Sequence, residues 1–299
     1  MMKKSTYCIL LTSLLLAAAC STHGTAPETE AGIGTYREIR ICTSAPELKS
    51  LVDPTTDMIY AYTFDSEHNV SWTGPSSIEN GIYTYTVSGD MQFIVFCNIS
   101  PENSAIEVNT YVDNPFSLTP RYQTDEDMVT GTTTADMIPE DGSALNIHLN
   151  RITSKVTAEL TVKTPEGELL DLTGFMRTAS ISLSPQSASY IIKGDYSAGY
   201  EESTTFTLTG GVLEESATSY QICNDMSVLP TMTQVSETTD LTLTLTDSEG
   251  QETAMTKNLG YALEPNKHYK LSISVTHDDT GFGFRIDDII TEDIEINLN

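Results

Sequence analysis

The residue best placed for chemistry is Cys20, because it directly follows three small residues at the end of an apolar stretch. Lys3 and Lys4 precede this stretch, which runs from Ile9 to Ala19. An apolar stretch this short does not span a hydrocarbon core of about 30 Å, so it is typical of a cleaved export signal. In a bacterial lipoprotein the thiol of such a cysteine accepts a diacylglycerol. Cleavage makes the cysteine the first residue, and its free amine then accepts a further acyl chain. Several acyl chains hold a protein firmly on a membrane.

The same junction also fits ordinary signal peptidase. The usual lipobox has a leucine three residues before the cysteine, whereas this chain has Ala17 there and Leu16 one residue earlier. The three alanines also satisfy the small-x-small rule of the ordinary enzyme, which would release the protein without lipid. We predict lipidation at Cys20, because the cysteine directly follows the small residues and a polar segment comes next.

The other reactive residues form no constellation typical of an enzyme. The five histidines include no His-Glu-x-x-His pattern, and Gly-x-Ser-x-Gly and glycine-rich phosphate-loop patterns are absent from the sequence. Asp279-Thr280-Gly281 matches the aspartic-protease tripeptide, but without an apolar lead-in we interpret it as a turn. Acidic clusters such as Asp125-Glu126-Asp127 lack the regular oxygen spacing of a calcium loop. We therefore predict no enzymatic activity, no catalytic residue, no metal site and no cofactor.

The composition limits the classes of partner. The chain has 299 residues, 42 of them acidic and 15 basic, which gives a formal net charge of −27 at pH 7. Such a surface repels nucleic acid and anionic headgroups, so we expect no nucleic-acid partner. Hydrophobic residues make up 39% of the chain, which is enough for a core, so the acidity does not indicate disorder.

The cysteines do not form a disulfide framework. Once Cys8 leaves with the signal and Cys20 is acylated, three remain, and they can form at most one disulfide. Cys97 ends an apolar run, where burial as a small hydrophobic residue is the default. The sequence does not decide whether any two of the three are paired: Cys42, Cys97 and Cys223.

Short strands dominate the rest of the chain. Residues 20–34 contain Gly, Pro, Thr and Glu with scarcely any apolar side chain, which predicts a flexible tether. From residue 35 onward apolar and polar residues alternate with period two. Residues 82–87 and 91–97 flank the turn Ser88-Gly89-Asp90 and are predicted to form a hairpin. Further strands are predicted around Ile39–Ile41, Met58–Phe64, Leu145–Leu149, Val156–Val162, Ile181–Leu183, Phe206–Leu208, Leu241–Leu245, Leu271–Val275 and Ile290–Leu298.

This pattern predicts an all-β fold of two tandem antiparallel β-sandwich domains. Residues 136–144, with Pro139 and Asp141-Gly142, form the best candidate for the boundary between them. The predicted divisions are a signal at 1–19, a tether at 20–34, an N-terminal domain at 35–144 and a C-terminal domain at 145–299.

Each half of the chain contains short motifs of its own. Leu149 to Val156 follow the pattern Leu-x-Arg-x-x-x-Lys-Val, and Leu263 to Leu271 follow Leu-x-Pro-Asn-x-x-Tyr-x-Leu. The first half contains Tyr60-x-Tyr62-x-Phe64-Asp65, Asn80-Gly81-Ile82-Tyr83 and Phe93–Asn98. Together with the lipobox-like junction and the tether, these motifs make the chain resemble the fimbrillin superfamily of Bacteroidales, the subunits of type V pili.

The resemblance implies transthyretin-like sandwiches and a surface-exposed lipoprotein, held in the outer membrane through lipid on Cys20 and present in a fimbrium. In that family an arginine-specific surface protease cuts stalk subunits within an N-terminal strand, and the C-terminal strand of a neighbour fills the open groove. Anchor subunits keep their lipid and their own first strand. By resemblance the cut would follow Arg37 or Arg40, and residues 289–299 would be donated.

The donated strand also makes physical sense, because unpaired backbone and an apolar slot accept a strand with ladder bonds and side chains together. The apolar residues predicted to share one face of this strand are Ile290, Ile294, Ile296 and Leu298. Two simpler interpretations stay open. Residues 289–299 can be the last strand of their own domain, and the two arginines can simply belong to the polar face of the first strand.

The resemblance implies a structural and adhesive function, as a subunit or membrane anchor of a type V fimbria. Its partners would be other fimbrial subunits and a host or bacterial surface ligand. The sequence does not choose between stalk, anchor and tip. The alternative is a surface glycan-binding lipoprotein of a nutrient-uptake complex, which exposed aromatic residues grouped along a shallow cleft would favour. A third possibility is a soluble periplasmic protein without lipid.

Overall fold

The computed structural model describes residues 36–44, 58–110, 116–193, 195, 197–277 and 284–294. The predicted signal (1–19), the tether (20–34) and the tripeptide Asp279-Thr280-Gly281 lie outside the described residues. Within them, no helix is long and apolar enough to cross a membrane. The short 3-10 helices are Ala135–Met137 and Leu172–Gly174. The strands are β1 (Tyr36–Ser44), β2 (Tyr60–Phe64), β3 (Val70–Thr73), β4 (Ser77–Glu79), β5 (Ile82–Ser88), β6 (Phe93–Cys97), β7 (Ile106–Asn109), β8 (Phe116–Pro120), β9 (Val129–Thr134), β10 (Leu145–His148), β11 (Asn150–Arg151), β12 (Ser154–Lys163), β13 (Thr178–Ile192), β14 (Ala198–Thr209), β15 (Ser219–Val228), β16 (Asp240–Thr246), β17 (Glu252–Asn258), β18 (His268–His277) and β19 (Phe284–Ile294).

The described strands form four sheets. Sheet A has the order β10-β1-β5-β4, and sheet B the order β11-β9-β6-β2-β3. Sheet C has the order β17-β16-β13-β8-β7, with β14 on the opposite edge of β13, and sheet D the order β15-β12-β18-β19. Pairing is antiparallel apart from β1 with β10 and β12 with β18, which are parallel. The predicted all-β fold is confirmed.

Sheets A and B pack face to face because each strand turns one set of alternate side chains inward. On β5, for example, Tyr83, Tyr85 and Val87 are buried while their neighbours are at least partly exposed. They pack against Ile94 and Phe96 of β6 in one apolar core. The period-two pattern in the sequence therefore indicates the correct inward face here.

The predicted hairpin of residues 82–87 and 91–97 is wrong. β5 belongs to sheet A, whereas β6 belongs to sheet B, so the turn at residues 88–90 connects two facing sheets and not two paired strands. The physical reason is visible in β6, all five of whose residues are buried. Its odd-numbered side chains face a second core containing Phe116 and Ile192, so β6 needs a sheet that is covered on both faces.

Sheets C and D enclose a further core. Val156, Leu160 and Val162 of β12 meet Leu241 and Leu243 of β16, and all five side chains are completely buried. The alternating leucines and valines of these strands again indicate the inward face.

Strand pairing crosses the predicted domain boundary at residue 144 in both directions. β10 follows that residue yet pairs with β1 in sheet A, and β8 precedes it yet pairs with β13 in sheet C. The division into domains at 35–144 and 145–299 stays a prediction.

Candidate functional site

The first strand, β1, lies between two other strands of its own chain. It pairs antiparallel with β5, from Tyr36 opposite Ser88 to Cys42 opposite Ile82, and parallel with β10, starting at Ile41 opposite Leu145. We call the space between β5 and β10 the first-strand groove. Since β1 fills this groove, its backbone groups have ladder partners on both sides where the two registers overlap.

Two isoleucines of β1 fix its position in the groove. Ile39 and Ile41 are 2% and 1% exposed and belong to the core between sheets A and B. Burying one such side chain contributes roughly 1.5–3 kcal/mol. Their neighbour in the core, Tyr85, donates its hydroxyl to the carbonyl of Ile59 at 2.8 Å, which satisfies the buried phenol. Any strand that replaced β1 would need apolar side chains with the same two-residue spacing.

The two predicted cleavage residues both contact the segment that precedes β10. Arg37 is half-buried and donates from Nη2 to the carbonyl of Ile138 at 2.9 Å. Arg40 is exposed, and its Nη1 lies 3.5 Å from the carbonyl of Gly142. The alternation places Arg37 on the same side of the strand as Ile39, at the rim of the core, and Arg40 on the outer side. The sequence could not reveal these contacts, because any residue type supplies a carbonyl.

The peptide bonds after Arg37 and Arg40 lie inside the ladder between β1 and β5. A protease needs its substrate as a free extended strand, so local opening of β1 must precede any cut at these positions. The structure thus places both arginines in a paired strand and not in an exposed loop.

The predicted donor strand overlaps with β19. This strand pairs antiparallel with β18, and its register places Ile290 opposite Ser272 and Ile294 opposite His268. The backbone of residues 289–294 therefore lies in sheet D of the same chain. Ile296 and Leu298 lie outside the described residues, and so does the predicted lipidation residue Cys20.

A buried ionic cluster joins the loop before β9 to β11 and to the start of β12. Asp127 Oδ1 lies 3.1 Å from Nε of Arg151 and 3.5 Å from Nζ of Lys155. The side chain of Arg151 is 1% exposed, and burial lowers the pKa of this guanidinium against the opposing effect of Asp127. Nζ of Lys155 also donates to the carbonyl of Asp125. Arg151 and Lys155 are the charged residues of the first quoted motif, and the acidic cluster 125–127 supplies their partner.

Among the described residues, His268 and its neighbours do not have the arrangement of a nucleophile relay. Nε2 of His268 lies 3.0 Å from Oγ1 of Thr157 and 3.2 Å from Oδ1 of Asp225. A nucleophile relay needs the acid on one ring nitrogen and the hydroxyl on the other, whereas here both neighbours approach the same nitrogen. Burial lowers the pKa of His268, although Asp225 opposes this effect. Among the described residues no three His, Cys, Asp or Glu side chains are grouped as metal ligands.

Two surface cavities of about 410 and 420 Å³ lie on either side of Glu159. The first is lined by β12, β18 and the loop that follows β12, mostly with polar side chains, and its lining includes no aromatic residue. The second lies under residues 211–217, and its aromatic residue, Tyr220, is 5% exposed. Neither described cavity offers the exposed aromatic platform that would favour a sugar-binding cleft.

The three cysteines expected in the mature chain are free thiols. Cys97 and Cys223 are buried, and burial raises the pKa of each to about 12. Cys42, on β1, is half-buried. The prediction that Cys97 is a small buried hydrophobic residue is confirmed.

Comparison with protein families gives a match over most of the chain. The model of the family Mfa2, described as fimbrillin-A associated anchor proteins Mfa1 and Mfa2, matches residues 37–295. This span begins inside β1 and ends one residue after β19. A search among curated proteins found no match.

Comparison with solved structures supports the fold. A candidate polysaccharide-binding protein from Bacteroides thetaiotaomicron has a TM-score of 0.53 and 14% identity, with 85% of this chain and 95% of that chain covered. A candidate adhesin from Bacteroides ovatus has a TM-score of 0.52 and 12% identity, with 86% and 95% covered. The fimbrial anchor protein Mfa2 from Porphyromonas gingivalis has a TM-score of 0.48 and 11% identity, with 86% and 98% covered. At these identities the first two similarities establish a shared fold.

Proposed function

Because this chain belongs to the family of fimbrillin-A associated anchor proteins, we propose that it is a lipid-anchored subunit of a type V fimbria that keeps its own first strand. The role is structural, supports adhesion and needs no catalysis. Lipid on Cys20 holds the protein at the outer membrane, and other fimbrial subunits are its partners.

The observation that supports an anchor over a stalk subunit is the match to the family of anchor proteins, and the filled first-strand groove of the uncut chain agrees with it. β1 is paired with β5 and β10, and its two isoleucines are buried. A chain in this state does not offer its first-strand groove to the donated strand of a neighbour. No further subunit is therefore added on the cell side of this one, and the lipid attaches the fimbria to the membrane.

The C-terminal end carries the other half of the proposal. Residues 284–294 are paired with β18, so a strand available to a neighbour must come from the residues beyond β19. Residues 295–299 keep the two-residue spacing of apolar side chains with Ile296 and Leu298. We propose that these residues extend the pairing into the groove of the next subunit.

Mass spectrometry of the mature protein tests the anchor role directly. The protein is isolated separately from the membrane fraction and from sheared fimbriae. An N-terminal acylated Cys20 in the membrane fraction is expected. A chain that starts at Glu38 or Ile41 in sheared fimbriae would instead identify a processed stalk subunit and overturn the proposal.

The variant Cys20→Ser provides the matched control. It should be exported and folded but recovered in the medium or periplasm, because no acyl chain is added. If the unmodified chain is itself found without lipid in the soluble fraction, the junction is cut by ordinary signal peptidase and the anchor proposal fails.

A further inference from the structure

The outer face of sheet C presents a block of hydroxyl groups on four neighbouring strands. In the ladder, Ser180 of β13 lies between Thr209 and Thr244, and Ser182 lies between Thr207 and Thr242. β17 continues these two rows with Ala254 and Thr256. We call this set the hydroxyl face, and its members are Ser180, Ser182, Thr207, Thr209, Thr242, Thr244 and Thr256, with Ala254 in the eighth place.

The alternation of the strands establishes that these side chains point away from the core. Ile181, Leu208 and Leu243 occupy the intervening positions and are completely buried, and Met255 of β17 packs against the same core. The members on the outer two strands, β14 and β17, are exposed, and those on β13 and β16 are half-buried. The face is therefore open toward solvent in the part of the chain that the structure describes.

Charge is absent from the hydroxyl face in a protein whose net charge is −27. The nearest carboxylates along the strands, Asp240 and Glu252, lie one row outside the block, at its two ends. The outer face of sheet D has the same sandwich geometry, yet β12 places Glu159 and Lys163 there beside Thr157 and Thr161. Sheet stability alone therefore does not require a charge-free face in this chain, although threonine suits a strand.

The hydroxyls already form pairs that leave capacity for a ligand. Oγ of Ser182 lies 2.8 Å from Oγ1 of Thr207, and Oγ1 of Thr242 lies 2.8 Å from Oγ1 of Thr256. Each hydroxyl has one donor and two acceptor sites. A pair that shares one proton therefore keeps one further donor and several acceptors, which point toward the open side of the sheet.

The size of the block argues against a second copy of the chain as the occupant. Four strands about 4.8 Å apart and two rows about 7 Å apart give an area on the order of 200–300 Å². A stable protein interface buries about 800 Å² on each partner. Two copies would also bring two strongly acidic molecules together, which is unfavourable. Acidic polymers are disfavoured for the same reason.

We propose that the hydroxyl face binds a neutral polysaccharide. Sugar hydroxyls donate and accept in the same way as serine and threonine, and an uncharged chain requires no counter-charge from the protein. An extended polymer makes several weak contacts along the rows, so a small flat face suffices. This inference is independent of the anchor role, because it concerns a different sheet and a different ligand.

Affinity electrophoresis of the purified full-length mature protein tests this proposal. Native gels contain mannan, xylan or amylose, with polygalacturonate as the anionic comparison. At least one neutral polymer should retard the protein, and polygalacturonate should not. If none of the three neutral polymers retards it, or if polygalacturonate retards it equally, the proposal is overturned.

Variants locate the contact on sheet C. The double variant Thr207→Glu/Thr242→Glu should lose about tenfold or more in affinity, because it adds charge and removes several hydrogen bonds. Thr207→Ser/Thr242→Ser should bind like the parent. The matched control Thr161→Glu/Ser272→Glu alters the outer face of sheet D and should also bind like the parent.

A second pair of substitutions guards against misfolding. Thr207→Val/Thr242→Val keeps the shape and strand propensity but removes both hydroxyls. It should keep the thermal unfolding midpoint of the parent and lose retardation. If the valine variant binds like the parent, or if the sheet D control loses binding equally, the hydroxyl face is not the site.

Discussion

Asp127 holds an unusual position for a carboxylate in this chain, because two buried cations depend on it. Arg151 and Lys155 lie 3.1 and 3.5 Å from Oδ1 of Asp127, and their side chains are 1% and 10% exposed. Removing the carboxylate leaves the buried positive charges without a counter-charge. This typically destabilises the fold far more than the loss of a surface ion pair. Asp127→Asn should therefore lower the free energy of unfolding by about 3–5 kcal/mol, measured by urea denaturation.

The exposed pair of Arg121 and Glu107 is the control for this effect. Nη2 of Arg121 lies 2.8 Å from Oε2 of Glu107, with side chains 49% and 31% exposed. Solvent screens such a pair, so Glu107→Gln should leave the unfolding midpoint nearly unchanged. Equal effects of the two substitutions would contradict the role assigned to the buried cluster.

The two buried thiols, Cys97 and Cys223, should react more slowly than the half-buried thiol of Cys42. Burial raises the pKa of Cys97 and of Cys223 to about 12. Since only the thiolate reacts, a pKa that high leaves about one thiol in ten thousand reactive at pH 8. Iodoacetamide at pH 8 should therefore modify half-buried Cys42 first in the folded protein and all three in urea. Rapid modification of Cys97 in the folded protein would contradict its burial.

For the strands, the sequence predicts which face is buried better than it predicts which strands are paired. The alternation in β5, β12 and β16 correctly indicates which side chains are buried, since period two follows from strand geometry alone. Whether a neighbour in sequence is also a neighbour in the sheet is a different question. β5 and β6 are close in sequence but lie in opposite sheets, and the uninterrupted apolar run of β6 was the signal for a strand covered on both faces.

The sequence could not reveal which strands flank the first-strand groove. The parallel pairing of β1 with β10 joins segments about a hundred residues apart, and no local pattern encodes it. The contacts of Arg37 and Arg40 end on backbone carbonyls, which carry no residue signature. Lipidation at Cys20 could be predicted because a processing signal is local and depends on residue type, and it stays a prediction.

The packing of β1 predicts resistance to proteolysis. Bonds after Arg37 and Arg40 become accessible only when the strand opens. Ile41→Ala should destabilise the strand by about 2–5 kcal/mol, and a strand that opens more readily should be cut at least about tenfold faster by trypsin after Arg37, where the residues flanking the bond are unchanged. N-terminal sequencing of the fragments over time measures this rate.

The exposed residue Thr86 of β5 supplies the control for β1. It lies opposite Glu38 in the ladder, and Thr86→Ala removes no core contact and leaves both scissile bonds unchanged, so the cleavage rate should match that of the parent. If Ile41→Ala is cut no faster than Thr86→Ala, β1 is not held in the groove by its apolar side chains.

At the scale of the whole molecule, the two ends of the chain have different tasks in the proposed anchor. In this proposal the N-terminal end would carry the lipid, and β1 fills the first-strand groove of its own chain, so that groove would accept no strand from a neighbour. Toward the C-terminus β19 pairs with β18 in sheet D, and the proposed donor residues Ile296 and Leu298 follow it in the sequence. A subunit of this kind attaches on one side and donates on the other, which gives a fimbria a defined base.

This asymmetry predicts that apolar residues beyond β19 matter for assembly but not for folding. Ile296→Asp/Leu298→Asp should leave the unfolding midpoint of the isolated protein unchanged, because in the proposal these residues pair with the next subunit and not with a strand of their own chain. The double variant should nevertheless fail to retain the next fimbrial subunit, since a charged side chain cannot enter an apolar slot without a large desolvation penalty. Retention is measured by co-purification from detergent-solubilised membranes. Asn297→Asp/Asn299→Asp adds the same two charges at the alternate positions and should retain that subunit. Equal retention by both double variants would mean that donation does not depend on this strand face, and equal loss would mean that added charge alone disrupts assembly.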